Sequence, residues 1–236
     1  MASYVIHDVC GEKFLENINV KDPIEKKKIK EEHRDKIQEE KINTHFRNVN
    51  DLKNNIQLCD LKAFLNKYGK YMDNPAVFGY FFHLFTDNHF FKEVFDDAFT
   101  CLDKDGNKTD LMETTTQYKI LKNNKIITPN EFWTEENIYG DYTKMNKLVL
   151  KFYGIKFNED ILRKALILCN NPGITEVKFE NIESVIRETK SYIKDSETTN
   201  EKDLKIFDSN KIINFINEIG EEFNREYPQY VKTYKK

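Results

Sequence analysis

Residues 74–85 constrain this chain more than any other stretch. Val77, Phe78, Tyr80, Phe81, Phe82, Leu84 and Phe85 fall on nearly every side of a helix, and Asn74-Pro75 supplies its start. A helix without a polar face must be buried by neighbours on most sides. The flanking sequence offers those neighbours. Leu61, Phe64, Leu65 and Tyr68 follow the spacing of one helix face, closed by Gly69. Asp87-Asn88 reads as the cap of a third helix, with Phe91, Val94, Phe95, Ala98, Phe99 and Leu102 along one face. Ile212, Ile213, Phe215, Ile216, Ile219 and Phe223 mark a C-terminal amphipathic helix. Eight glycines and five prolines in 236 residues argue against a loop-rich or all-β chain. The expected fold class is all-α.

Three segments are expected. Residues 1–55 carry a charged helix over 22–42, whose apolar positions Ile24, Ile29, Ile37 and Ile42 are too sparse for a full core stripe. Residues 56–194 form the helical core, and 195–236 hold a charged linker, the C-terminal helix and a tyrosine-rich tail. A net charge of -3 gives no basic field for nucleic acid or anionic lipid. Cys10, Cys59, Cys101 and Cys169 lie far apart and form no CxxC pair, which points to free thiols in a reducing compartment, with no disulfide and no zinc expected. No run has the length and apolarity of a membrane span, and residues 1–20 lack the apolar core of a signal peptide. Expected partners are therefore proteins, and the expected location is cytoplasmic.

One motif suggests chemistry. An amphipathic run ends in Leu102-Asp-Lys-Asp-Gly-Asn107, which sets Asp103, Asp105 and Asn107 as oxygen donors around a tight turn. With its approach helix, this segment resembles the entry half of an EF-hand of the calmodulin superfamily, and residues 88–193 resemble a degenerate pair of such hands. The family's twelve-position loop takes glycine at six, an aliphatic residue at eight and a bidentate glutamate at twelve. Read without a break, the loop here has Lys108, Asp110 and Thr114 at those positions. Read with 108–124 as an insertion, the exit half is Ile127-Thr-Pro-Asn-Glu131-Phe132, and Glu131 completes the ligand set. Lengthening the closure from about 12 to about 29 residues costs only ~0.8 kcal/mol. The resemblance thus implies metal ligands Asp103, Asp105, Asn107 and Glu131, with calcium as the ion. The second hand would run from Leu166 through Asn170 to Asn181-Ile182, where Pro172 and Ile174 offer no side-chain oxygen. Val177 would pair with Ile127 in a two-strand ribbon between the hands.

Other candidates are weaker. His83 and His89 flank a polar break near the apolar helices, but no third ligand stands at helical or loop spacing, so they read as packing or surface histidines. No phosphate loop, nucleophile elbow or HExxH motif occurs. What the resemblance implies is a non-catalytic binding or scaffold subunit whose helices offer an apolar groove, as in cytoskeletal or axonemal assemblies. The alternatives are a calcium sensor using the interrupted loop 103–131, and a metal-independent helical scaffold of other ancestry.

Overall fold

The computed structural model describes residues 4–17, 42–154, 159–160, 173–176, 186–187, 190–193 and 196–234. At its centre is α3, Pro75–Phe90, started by the Asn74 side chain accepting from the Ala76 N–H. The helix passes straight through Asp87-Asn88 and continues as a π-helical turn, Phe91–Phe95. Helices α1 (Tyr4–Asn17), α2 (Leu61–Tyr68) and α6 (Ser209–Tyr234) pack on it, and α5 (Ile138–Tyr153) packs on α1 and α6. The all-round apolar pattern of α3 is thereby explained: Val77, Tyr80, Phe81, Phe82, Leu84 and Phe85 are all buried. Phe223 of α6 inserts between helices, with ring centroids 5.3 Å from Phe14, 5.0 Å from Phe82 and 5.1 Å from Phe85. One apolar cluster spans the chain from Val5 to Phe223.

The fold is not all-α. Residues Phe99–Leu102 form β1, Gln117–Ile120 form β2 and Ile126–Ile127 form β3, in an antiparallel sheet of order β1-β2-β3. Phe99 pairs with Ile120, Cys101 with Tyr118, and Tyr118 with Ile127. The helical spacing of Phe91 to Leu102 was misleading for two physical reasons. Asp96 and Asp97 bring negative charge to a helix C-terminal end, where the macrodipole disfavours it. Phe-Thr-Cys-Leu then favours a pleated surface over a helix. In β2 the buried residues Tyr118 and Ile120 alternate with half-buried Gln117 and Lys119, so part of the supposed insertion belongs to the core. A short helix α4, Pro129–Phe132, follows β3 and lays Phe132 flat on Tyr118 at 4.0 Å between centroids. Ile127 has Tyr118 as its ladder partner; Val177, expected to pair with it, lies outside the described residues, as do 22–41, Leu166 to Asn170, and Asn181-Ile182.

Candidate metal centre

Within α3, Tyr80, His83 and Asp87 share one face, at positions i, i+3 and i+7 of a helix otherwise buried in hydrocarbon. Asp87 is 0% exposed, and a carboxylate there needs charged or donor partners. Three imidazoles supply them. His7 Nε2 lies 3.1 Å from Asp87 Oδ1, and His45 Nε2 lies 3.4 Å from Oδ2. His83 Nε2 is 3.9 Å from the same Oδ2 and 3.2 Å from His45 Nε2. The His7 and His83 rings lie over one another, with centroids 4.0 Å apart.

Each imidazole arrives on a different element. His7 rides on α1, which Val5, Ile6, Val9, Cys10 and Phe14 anchor in the core. His45 is delivered by a turn in which Phe46 adopts φ 50, a left-handed conformation uncommon for a bulky residue. Such a conformation persists when the surroundings over-determine it. Here the Phe46 ring sits against Phe64, Tyr68 and Tyr80. The turn is also moored to α3. Asn88 accepts from the Cys59 N–H at 2.6 Å and donates to the Cys59 carbonyl at 2.9 Å, while Cys59 bridges to Arg47. The Tyr80 hydroxyl donates to the Thr44 carbonyl, and Thr44 Oγ1 lies 2.9 Å from His45 Nδ1.

Burial sets the charge states. Desolvation holds His45 down to about 4 against the pull of Asp87, and brings His83 down to about 3. Burial alone would push the Asp87 carboxyl up. The charge and hydrogen bond of His7, together with His83, outweigh it and hold Asp87 well below the usual carboxylate range. His45 and His83 are thus neutral near pH 7 with Asp87 ionised, the states in which they bind metal.

The geometry suits such an ion. A tetrahedral ion with bonds of roughly 2.0–2.1 Å holds its donors roughly 3.3 Å apart. His45 Nε2, His83 Nε2 and Asp87 Oδ2 stand 3.2, 3.4 and 3.9 Å apart, His7 Nε2 lies on the other carboxylate oxygen, and donor atoms of His7, His83 and Asp87 all lie within 4.8 Å of one another. Imidazoles with a carboxylate suit zinc or another divalent transition metal; calcium and magnesium require oxygen-rich shells. Local spacing shows no third ligand for His83, because His7 and His45 stand 76 and 38 residues away.

The residues expected to bind calcium lie elsewhere. Asp103, Asp105 and Asn107 occupy an exposed turn closed by the Leu102–Lys108 bridge, with Gly106 at φ 82. Asp103 Oδ1 accepts from the Asp105 and Asn107 N–H groups at 2.9 Å each; these bonds, that from Asn107 foremost, lower its pKa. Glu131 caps its own helix, with Oε2 accepting from the Thr128 N–H at 2.8 Å and hydroxyl at 2.9 Å. Among the described residues, no group of three close His, Cys, Asp or Glu donors includes Asp103, Asp105 or Glu131. A second such group joins His89 to Glu93 at 2.7 Å and Glu222 at 3.3 Å, clasping α3 to α6 at the surface.

A cleft of about 670 Å³ is lined by Asn43, Phe46 and Arg47, on the same turn that carries His45. A larger one, about 830 Å³, lies between α5 and the start of α6, and neither cleft is lined by His7, His45, His83 or Asp87 themselves. No helix among the described residues is long and apolar enough to cross a membrane. No family model matches the chain, and neither a curated protein nor a solved structure matches it.

Proposed function

We propose that this protein is a metal-dependent enzyme of hydrolytic type, with His45, His83 and Asp87 as the ligands of a divalent transition metal, zinc foremost, and His7 held against the other oxygen of the same carboxylate. The observation that carries the reading is the convergence of three imidazoles on one buried carboxylate, from three separate segments, with His45 Nε2, His83 Nε2 and Asp87 Oδ2 only 3.2, 3.4 and 3.9 Å apart. The donor types support a working centre over a purely structural one. Structural zinc sites are built mostly from cysteine, whereas catalytic sites use histidine and carboxylate ligands and keep a position for water. His45, His83 and Asp87 would hold such an ion, which when bound would supply a hydroxide nucleophile near neutral pH and polarise the bond under attack. In that chemistry Asp87 offsets the ion's charge, and the strained turn at Phe46 holds His45 in place.

Metal analysis and activity together test this. After incubation with zinc and exhaustive dialysis, mass spectrometry should find metal bound to the wild-type chain and none above background in Asp87→Ala or His83→Ala. Metal at 1,000 times its dissociation constant should stabilise the chain by ~4 kcal/mol, raising the melting temperature by roughly 10 °C. The loaded protein should hydrolyse at least one of p-nitrophenyl phosphate, bis-p-nitrophenyl phosphate and p-nitrophenyl acetate, and lose that activity on chelation. A wild-type chain that retains no more metal than His83→Ala overturns the reading; bound metal with no hydrolysis of any of the three removes the enzymatic half.

A further inference from the structure

We propose that Thr44 is a positioning residue for this centre: its hydroxyl fixes the tautomer of His45, holding the proton on Nδ1 so that the Nε2 lone pair faces the ion. The inference rests on the metal-centre reading above. Thr44 is buried, its Oγ1 lies 2.9 Å from His45 Nδ1, and its carbonyl is held by the Tyr80 hydroxyl from α3. Both backbone and side chain of Thr44 are therefore fixed relative to the helix that carries His83 and Asp87.

The chemistry follows from the two ring nitrogens. His45 Nε2 is the atom that faces Asp87 and His83. To bind a metal through Nε2, a neutral imidazole must carry its proton on Nδ1, and that buried N–H needs an acceptor. Thr44 Oγ1 stands where the acceptor is required. A hydroxyl both donates and accepts, so it also serves the metal-free protein. There it can donate to Nδ1 while Nε2–H turns to Asp87 or His83. The ring can thus exchange tautomers as metal enters and leaves, without losing its partner or moving.

The test compares Thr44→Val, close in shape but without the hydroxyl, with Thr44→Ser, which keeps it. Cobalt(II) titration and zinc competition should show Thr44→Val weakened 10- to 100-fold, the usual cost of removing such a partner, and Thr44→Ser within about threefold of wild type. Long-range proton–nitrogen NMR of the zinc-loaded wild type should place the His45 proton on Nδ1. That measurement holds even if the valine variant fails to fold. Equal affinities for wild type and Thr44→Val, or a proton found on Nε2, overturn the assignment while leaving the centre intact. A wild-type chain that binds neither metal overturns the centre itself.

Discussion

Asn88 engages both ends of its amide on one peptide unit, taking the Cys59 N–H and giving to the Cys59 carbonyl while only 7% exposed. Removing it strands the buried Cys59 N–H, while the Cys59 carbonyl keeps only the bond from the Leu61 N–H at 3.2 Å. An unsatisfied buried group costs ~1–3 kcal/mol, so Asn88→Ala should lose about 1–3 kcal/mol by urea denaturation. A loss below about 0.5 kcal/mol would mean that water replaces the amide and the mooring of the 45–47 turn lies elsewhere. The same residue shows where a sequence reading fails at this scale. Asp-Asn is a frequent helix start, and by that rule Asp87-Asn88 reads as one, whereas α3 runs through it. Yet apolar residues stand on both sides of the pair, and polar groups inside a buried helix must be satisfied from within. His83, Asp87 and Asn88 therefore pointed to unseen partners. Which residues those were could not be read, since no local spacing links His7, His45 and Cys59 to them.

At the scale of elements, a buried carboxylate fastens the approach to α6 onto α5, beside the Lys144 bond to the Asp203 carbonyl and the Tyr142–Phe207 ring contact. Asp141, 0% exposed, accepts from the backbone N–H groups of Lys205, Ile206 and Phe207 at 2.9, 2.6 and 3.2 Å. Hydrogen bonds to a charged group contribute ~1.5–3 kcal/mol each, and truncation leaves three donors unpaired. Asp141→Ala should cost at least about 3 kcal/mol, with amide hydrogen exchange rising first at residues 205–207. Exchange there unchanged from wild type would show that this carboxylate does not hold the segment. Next to it, Gly140 stands so close to the Glu135 carbonyl that a Cβ would come within 1.9 Å of the oxygen, which explains a glycine in the first turn of a helix. These elements differ in how far the sequence announced them. α3 and the C-terminal helix were legible because periodicity and burial agree over many residues. The sheet was missed because β1 also fits a helical period, and because the alternation Gln117-Tyr-Lys-Ile120 lay inside a stretch read as an insertion.

Across the whole molecule, the histidine–aspartate cluster ties together segments that begin at residue 7 and end at residue 87, so its protonation is linked to global stability. An unfolded chain protonates its imidazoles near ~6.5. In the folded, metal-free protein burial holds His45 at about 4 and His83 at about 3, with Arg47 and His7 respectively acting in the same direction and Asp87 opposing. Between those limits the unfolded state binds protons that the folded state refuses. Stability is therefore full above the unfolded value and falls as pH drops from about 6.5 toward 4, by up to ~1.4 kcal/mol per pH unit for each imidazole. Asp87, held below its ordinary range, adds a loss of the same sign further down, once pH passes below about 3.8. Urea midpoints measured in chelator from pH 7.5 to 4.5 should fall steeply for the wild type and less steeply for His83→Asn, which cannot take the proton. Parallel curves for the two would mean that the His83 imidazole is protonated alike in the folded and unfolded chains. Metal should oppose the same loss: a bound ion excludes the protons from its ligands, so at equal pH the zinc-loaded protein should keep its midpoint to lower pH than the chelated one.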